Sequence, residues 1–562
     1  ATLGRKSANG RLLFSWVNGL QEFCGATFWG NHLLGQRGKP REVVETPSGS
    51  VSGYEGVSRD GRPYLAWTKI PYGKPPVGPL RLAAPEPIDK WEGVLNATEL
   101  APRCYQKVDM MPKKWVGQED CLYVNVYKPK IDTKPLPVLV YVHGGAFFVG
   151  HPGPRKSPEY IMDEDVILVT IAYRLGALGF MSFNDKTLPG NFGMKDQALG
   201  IKWVKENIAA FGGDPESITT FGESAGGASS HSLLLSPLTR DIVSKSVAIS
   251  GIVTKLWSFR RPETIAAVSR ALAERNGCSQ ADSAEALSCL REIQDPSKFS
   301  NFGDLNQLEP AIPVGPIIEP EGPGAYAPYD LTETPSTKPL MITYSAGEYL
   351  LTEIPAAEMG LSKMKEIAEN IDAYCQSYMK PSVTAEQLPV AAGKLREKYI
   401  THKDVREVTH EIAMIIQDSA FVYPAMTAAE YHKGPKWVYH LEHRGELSLF
   451  DTFWKNWNLT VPAHADDVFS LFNLREYVKD SKPEMNAEDT RVSKELVKYL
   501  ANFAKYGNPT PEGSGFDWKA YNGNEILQIK TGGSVMADSS FVEQQKNIRG
   551  SWSDILGTTK WF

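Results

Sequence analysis

Two patterns of hydrophobic and polar positions alternate along most of the chain. Short runs rich in β-branched and aromatic residues predict strands, and longer runs with apolar residues every three or four positions predict helices. The predicted strands are 122–127, 137–142, 166–172, 218–221, 247–250, 340–344 and 437–441, and the predicted helices are 196–210 and 491–505. Since strands alternating with helices form parallel sheets, the pattern predicts an α/β protein with a large, mostly parallel central sheet flanked by helices.

The segments before and after these strands predict which further elements surround the sheet. Residues 43–46 and 51–54 predict a hairpin near the start, and the proline-rich stretch 70–81 is incompatible with a regular helix. Residues 262–398 are mostly helical in pattern, with long polar excursions, and show no low-complexity linker. We therefore expect one large domain over residues 1–562, whose helical insertion forms the walls and lids of a gorge. Residues 1–40 form an N-terminal extension without an assigned role.

Composition and net charge limit the kinds of molecule that this protein is expected to bind. The chain is 42% hydrophobic and 22% charged, which is ordinary for a soluble globular protein. Its net charge is −6 and it has no long basic run, which argues against nucleic acid and anionic membrane surfaces as partners. No apolar run reaches the roughly 18–20 residues of a membrane span. These features favour a small-molecule ligand over a polymer or a bilayer.

A possible nucleophile follows the predicted strand 218–221. The chain continues Gly222-Glu223-Ser224-Ala225-Gly226 and then enters a run of small residues with helical character. Gly-x-Ser-x-Gly between a strand and a helix is typical of a nucleophile elbow, which holds a serine in a strained backbone conformation at a helix N-terminus. An ordinary Gly/Ser turn has the same sequence, so the interpretation depends on finding a base, an acid and oxyanion donors elsewhere.

Candidates for these partners exist on both sides of the elbow. His143-Gly144-Gly145-Ala146-Phe147 follows the predicted strand 137–142, and its small residues allow backbone N–H groups to face a substrate oxygen. A glycine-rich turn is the alternative. Glu348 follows the predicted strand 340–344 after a short turn, a position suited to a triad acid, although an exposed loop glutamate is an equal possibility.

The choice of a base stays open at this level. Hydrolases with this sheet place their residues in the order serine, acid, histidine, which favours a histidine far downstream of Ser224. His464 lies in a loop before an apolar run and satisfies this order. His440 and His443 flank a predicted strand, and His231 follows the elbow, so these three remain alternatives.

Several separate stretches, in one order, resemble the carboxylesterase/cholinesterase family of α/β-hydrolases, and most of all the secreted esterases of insects. They are Ile-Pro-Tyr and Pro-Pro-Val-Gly within 70–78, Glu-Asp-Cys-Leu-Tyr-Val-Asn-Val at 119–126, Tyr-Arg-Leu-Gly-Ala-Leu-Gly-Phe at 173–180, Gly-Asn-Phe-Gly with Asp-Gln within 190–197, and Phe-Gly-Gly-Asp-Pro at 211–215. The resemblance implies the α/β-hydrolase fold and a serine carboxylesterase that needs no metal or cofactor.

The resemblance also implies roles for individual residues. Ser224 corresponds to the nucleophile, Glu348 to the triad acid and His464 to the base, and the oxyanion donors correspond to Gly145, Ala146 and Ala225. The expected substrates are small hydrophobic esters, such as hormone, pheromone, odorant or xenobiotic esters. The alternative is a slow or inactive relative that binds, sequesters or mediates adhesion; such relatives typically lack a triad residue, so the intact set favours catalysis.

Four positions differ from the family pattern. Ala146 replaces the third glycine of the oxyanion loop, which keeps an N–H donor but adds a methyl group. Val461 replaces a glycine three residues before the histidine, and Thr343 and Tyr349 replace glycines around the acid.

Cysteines and sequons bear on the cellular compartment. Of six cysteines, the resemblance pairs Cys104 with Cys121 and Cys278 with Cys289, and leaves Cys24 and Cys375 unassigned. Asn96 and Asn458 begin glycosylation sequons, which together with paired cysteines favour a secreted glycoprotein. The N-terminus shows no signal-peptide pattern, and the C-terminus shows neither a retention signal nor a cysteine tail. We therefore expect a monomer or a non-covalent dimer.

One tryptophan lies within the first predicted disulfide loop. Trp115 has two interpretations: an aromatic residue packed at the rim of the gorge, which we favour, or a ring that captures a cation.

Overall fold

The computed structural model describes twelve parts of the chain: 42–108, 114–132, 135–153, 157–278, 282–300, 302, 314–353, 361–380, 382–448, 450, 459–474 and 485–558. The predicted extension 1–40, Cys24 and the sequon residue Asn458 lie outside the described residues.

The strands are mostly short, and most of them contribute to one sheet. They are β1 Val43–Thr46, β2 Gly49–Ser52, β3 Tyr54–Val57, β4 Pro63–Pro71, β5 Val94–Asn96, β6 Gln106–Val108, β7 Lys114–Val116, β8 Tyr123–Pro129, β9 Leu136–Val142, β10 Ile167–Ile171, β11 Gly213–Glu223, β12 Lys245–Ile249, β13 Leu340–Ser345, β14 Lys436–Leu441, β15 Ile526–Ile529 and β16 Val535–Met536. Eleven of them form the central sheet in the order β16-β15-β14-β13-β12-β11-β9-β10-β8-β4-β3.

The middle of this sheet is parallel and its two edges are antiparallel. Seven strands, from β10 through β9 and β11 to β15, pair in parallel, whereas β16 at one edge and β8, β4 and β3 at the other pair antiparallel. The predicted α/β class with a mostly parallel sheet is therefore confirmed. Because the carboxyl ends of parallel strands meet at one edge, the residues that follow β9, β11, β12 and β13 are brought together there.

Helices cover the sheet. They are α1 Gly176–Phe180, α2 Phe192–Asn207, α3 Ala225–Leu235, α4 Pro262–Arg275, α5 Ser283–Arg291, α6 Leu361–Glu369, α7 Ile371–Met379, α8 Leu388–Tyr399, α9 Val405–Gln417, α10 Tyr423–Tyr431, α11 Asp466–Leu471, α12 Ala487–Tyr506 and α13 Ser539–Leu556. Short 3₁₀ turns occur at Gly78–Leu80, Ile161–Asp163, Ile208–Phe211, Pro296–Ser300 and Leu331–Glu333.

The central strands are buried on both faces. Every residue of β10 is buried, as are five consecutive residues from Val138 to Val142 in β9. Helices on both sides exclude water from such strands, which explains why their sequences are continuous apolar runs rather than alternating ones. Because the central strands are packed on both faces, their ends have fixed positions, and the candidate catalytic residues follow these ends.

One long apolar helix packs inside the protein. Residues Val405–Tyr431, which include a π-helical turn at Asp418–Val422, form the one helix in the described chain with the length and hydropathy of a membrane span. Within its most apolar window, 89% of the residues are buried inside the protein. This burial is what a core helix requires.

The predicted strands and helices are present, with boundaries shifted by a few residues. The longest shift is in β11, which begins at Gly213 rather than 218. The prediction did not include β4, β15, β16 or α13. β4 and β15 each lie next to an edge strand and are largely buried, whereas β16 and α13 are only partly buried.

Candidate active site

The elbow is a sharp turn between β11 and α3. Ser224 separates the two elements and has φ 59° and ψ −123°, a conformation that non-glycine residues rarely adopt. A Cβ at Gly226 would lie 2.1 Å from the carbonyl oxygen of Val142, so the turn requires a residue without a side chain there. The side chain of Ser224 is 5% exposed and stands at the N-terminal end of α3.

Glu348 and His464 are in direct contact beside this edge of the sheet. Oε2 of Glu348 lies 2.5 Å from Nδ1 of His464, and both side chains are completely buried. The other carboxylate oxygen, Oε1, accepts hydrogen bonds from Ser250 Oγ at 2.6 Å and from the Ser345 N–H at 2.8 Å. The carboxylate therefore has a fixed orientation, and so has the imidazole that binds to it.

The loops that carry these two residues are joined through Gly347. The Gly347 N–H donates to the carbonyl oxygen of Pro462 at 3.0 Å, and a Cβ on Gly347 would lie only 2.5 Å from that oxygen. The side chain of Val461 also covers this position. The two loops can approach this closely because residue 347 has no side chain.

A second carboxylate contacts the other nitrogen of the imidazole. Oε1 of Glu223, the residue directly before Ser224, lies 2.9 Å from Nε2 of His464. Burial by itself lowers the pKa of His464, but the carboxylates of Glu348 and Glu223 outweigh burial and raise this pKa well above its usual range. Sequence reasoning missed this contact, because Glu223 occupies the variable position of the elbow motif.

Asp467 is a third buried acid in the same cluster. Its Oδ2 accepts hydrogen bonds from Tyr439 Oη at 3.1 Å and from Thr343 Oγ1 at 3.4 Å. Burial, together with the charges of Glu348 and Glu223, raises the pKa of Asp467 to about 7. Sequence reasoning missed this residue as well, since an acidic pair at 466–467 ordinarily indicates a helix start.

The predicted oxyanion loop lies against the elbow. A Cβ on Gly144 would lie 3.1 Å from Cβ of Ser224, so the loop and the nucleophile candidate are adjacent. Gly145 has φ 111° and Ala146 has φ 52°, and the carbonyl oxygen of Gly145 accepts the N–H groups of Phe148 and Val149. Among the described residues, neither the Gly145 nor the Ala146 amide donates to a backbone carbonyl. Ala225 is the first residue of α3, where amides are free of helical partners.

Comparisons with known proteins identify the family of this chain. A model of the carboxylesterase family matches residues 40–548. The chain belongs to the carboxylesterase family. It is 34% identical to juvenile hormone esterase from Tribolium castaneum over 85% of this chain and 86% of the relative, and 31% identical to a carboxylic ester hydrolase from Bombus ignitus over 86% and 88%.

A solved structure shows the same fold. The crystal structure of juvenile hormone esterase from Manduca sexta, with OTFP covalently attached, aligns with a TM-score of 0.79 at 25% identity, covering 92% of this chain and 99% of that one. The chain therefore has the α/β-hydrolase fold and is a carboxylic ester hydrolase.

The other candidate bases of this carboxylesterase are engaged elsewhere. Nδ1 of His440 contacts Glu442 at 3.1 Å, and Nε2 of His443 contacts Asp489 at 3.0 Å. Nδ1 of His231 accepts the Val253 N–H at 3.4 Å. Of the four histidines considered from the sequence, His464 is the one in contact with Glu348 and Glu223.

Aromatic side chains form a wall beside His464 in the esterase. The ring of Phe421, in the π-helical turn, lies 4.9 Å from the imidazole. Trp257 lies 6.4 Å from Phe421 and donates its Nε1 hydrogen to the Ala420 carbonyl at 2.8 Å. Within the described chain, no group of three or more His, Cys, Asp or Glu side chains is arranged to hold a metal ion.

The structure contains disulfides between Cys104 and Cys121 and between Cys278 and Cys289. In the first disulfide loop, Trp115 stacks on Tyr105 with ring centroids 5.7 Å apart and an interplanar angle of 9°. Trp115 is thus packed on a neighbouring ring, and its position at the rim of the gorge stays a prediction. Cys375 is a free, buried thiol, and burial raises its pKa to about 12.

Proposed function

We propose that this carboxylesterase hydrolyses small hydrophobic esters through an acyl-enzyme intermediate, with Ser224 as nucleophile, His464 as base and Glu348 as acid. The observation that carries the proposal is the position of His464. Its Nδ1 is bound by Glu348, and its Nε2 faces Glu223, the residue adjacent to Ser224. A buried imidazole, oriented by a buried carboxylate, thus lies beside the residue that precedes the strained serine, and this supports its role as the base.

Each step of the reaction has a group in place. His464 accepts the hydroxyl proton as Ser224 attacks the ester carbonyl, and then transfers that proton to the leaving alcohol. A water molecule activated in the same way attacks the acyl-enzyme and releases the carboxylic acid. Gly145, Ala146 and Ala225 supply N–H groups to the oxyanion, a contribution typically worth about 3 kcal/mol per donor.

The charges around the imidazole support this cycle. His464 becomes positively charged in the transition states of both acylation and deacylation, and Glu348 and Glu223 then lie at its two nitrogens. Two carboxylates at these distances stabilise the imidazolium in a site from which water is excluded. The same interaction raises the pKa of the free histidine, so the base is neutral only toward alkaline pH.

The expected substrates are apolar esters. The ring of Phe421 lies beside His464 and packs near Trp257, and these aromatic surroundings suit an apolar acyl or alcohol group. Similarity to juvenile hormone esterases of two insects supports hormone esters as one class, and pheromone, odorant or xenobiotic esters remain alternative classes.

Hydrolysis of p-nitrophenyl esters from acetate to decanoate tests the proposal. Ser224→Ala is expected to reduce kcat by about 10³-fold or more. Ser229→Ala, a buried serine on the same helix, is the matched control and should retain activity. Equal activity in both variants, or no turnover by folded wild type, would refute the triad and favour a binding, sequestration or adhesion role.

The same reasoning extends to the compartment. We propose that the protein is a secreted glycoprotein, since it contains two disulfides and since Asn96 is exposed at the end of β5. Removal of N-linked glycans from the natural protein should increase its electrophoretic mobility, and Asn96→Gln should remove part of that change. An unchanged mobility would count against the proposal.

A further inference from the structure

One cavity of the protein lies beside the start of α4. It has a volume of about 340 Å³, and it lies between the loop that follows β12, the start of α4 and the segment that precedes α8. Cavities of roughly 300–1,000 Å³ commonly hold small ligands. Ser224, Glu348 and His464 are not among its lining residues.

The charged lining of this cavity is mainly positive. Lys255, Arg260 and Arg261 line it together with one acid, Asp330. Oδ2 of Asp330 lies 3.9 Å from Nζ of Lys255, and Oδ1 accepts two hydrogen bonds from Thr332. Asp330 thus offsets one of the three cations, and the lining carries a net positive charge of about two.

Arg260 is the buried cation of this set. It is 5% exposed, its Nη1 donates to the Leu256 carbonyl at 3.4 Å, and its backbone N–H donates to Pro316 at 2.7 Å. Burial lowers its pKa to about 10, which still leaves the guanidinium charged at neutral pH. A charged guanidinium that lines a cavity favours an anion, and its planar fork matches a carboxylate.

The polar ends of two helices add to this field. α4 begins at Pro262 and α8 begins directly after Gln387, and both of these residues line the cavity. The partial positive charges at two helix N-termini therefore act on the same space as the three basic side chains.

The lining also includes apolar residues, beside the polar side chains of Ser382, Thr384 and Gln387. Val253, Phe259, Ile318, Leu331 and Val383 contribute hydrocarbon surface to the cavity. A fully polar anion such as phosphate would leave this surface without contacts, whereas an apolar chain would cover it. The lining therefore offers both positive charge and apolar surface to a ligand.

We propose that this cavity binds a monocarboxylate with an apolar chain, whose carboxylate pairs with Arg260 and Arg261 and whose chain packs on Phe259 and Leu331. The ligand has the chemistry of a medium-chain fatty acid. The site is distinct from the catalytic centre, and its existence does not depend on the proposed triad.

Octanoate is the probe for the first test, with binding measured by calorimetry. Arg260→Met and Arg261→Met keep most of the side-chain volume and remove the charge, and each should weaken binding by about tenfold or more. Arg270→Met is the matched control, since Arg270 lies on α4, pairs with Asp185 at 3.5 Å and does not line the cavity. Octanol, which has the same chain without the charge, should bind more weakly than octanoate.

A crystal structure with 8-bromooctanoate separates this site from the catalytic one. The anomalous signal of bromine is expected inside the cavity, with the carboxylate at hydrogen-bonding distance from Arg260. Bromine found only beside Ser224, or octanoate affinity equal in the Arg260, Arg261 and Arg270 variants, would overturn the proposal. If Arg260→Met does not fold, the octanoate affinity of Arg261→Met and the position of the bromine still test the proposal.

Discussion

Oε1 of Glu223 lies 2.9 Å from Nε2 of His464, while Oε2 of Glu348 lies 2.5 Å from Nδ1 of the same ring. The imidazole is thus held between two carboxylates, one at the end of β11 and one in the turn that follows β13. One of them is adjacent in sequence to Ser224. The arrangement makes the protonated form of His464 more stable and gives Glu223 an influence on the pH at which the proposed base becomes available.

Replacing Glu223 by glutamine should shift the pH dependence of the esterase. A general base must be neutral, and removing one of the two charges that raise the pKa of His464 lowers that pKa. The acidic limb of the kcat/KM profile should therefore move to lower pH, while kcat at its plateau falls because the imidazolium is less stabilised. Profiles for p-nitrophenyl butyrate check this expectation.

Glu216→Gln is the control for that experiment. Glu216 lies on the same strand, is exposed and pairs with Lys205 at 2.6 Å. Its profile should match the wild type. A limb that stays in place in Glu223→Gln would show that Glu223 does not set the protonation of the base.

Gly347→Ala should separate Glu348 from His464. The new methyl group would lie 2.5 Å from the Pro462 carbonyl oxygen, so the two loops must move apart. Displacement of the acid from the base by even 1 Å is expected to lower kcat by about 10²-fold. Steady-state kinetics measure this effect.

The control for Gly347 is Gly393→Ala. Gly393 lies within α8 with open space around it, so alanine there should preserve kcat and slightly raise stability. Unchanged kcat in folded Gly347→Ala would contradict the close-approach requirement.

Phe421→Ala should enlarge the space beside His464. The ring lies 4.9 Å from the imidazole, so its removal leaves room for a longer or bulkier apolar group. We expect the optimum of the p-nitrophenyl ester series to move to longer chains, with each newly accommodated methylene worth roughly fourfold in kcat/KM. Phe516→Ala, in the loop before β15, should leave the profile unchanged. A profile that falls uniformly would indicate lost packing rather than a changed pocket.

Asp467→Asn should stabilise the fold more at alkaline than at acidic pH. The folded pKa of Asp467, about 7, lies above its unfolded value, so the native state binds more protons between about pH 4 and 7 and its stability falls as pH rises through that window. Asparagine removes this cost and can still accept from Tyr439. We expect roughly 1–3 kcal/mol more stability at pH 8 than at pH 4, relative to wild type.

Denaturant unfolding at the two pH values measures this difference. Asp517→Asn, at an exposed acid, serves as the control and should change stability equally at both. A stabilisation of Asp467→Asn that is independent of pH would mean that Asp467 is not a titrating buried acid.

The sequence by itself determined the class of fold and the order of the candidate residues. Continuous apolar runs in β9 and β10 require burial on both faces, which only a covered parallel sheet provides. The small residues around Ser224 allow a tight strand-to-helix turn and little else. These features depend on local sterics and on hydrophobic periodicity, and both can be read directly from the order of the amino acids.

Only the tertiary structure decided which groups meet. Glu348 and His464 are 116 positions apart in the chain. From the sequence, four histidines were candidates for the base. We assign Glu223, Gly347 and Asp467 to the site because each lies 2–4 Å from a segment that is distant in the chain. These distances depend on the order of the strands in the sheet. The order of residues in the chain shows which groups are available. Contacts and charge interactions depend instead on distances in space. The parallel sheet sets these distances, because it brings the ends of distant strands to one edge.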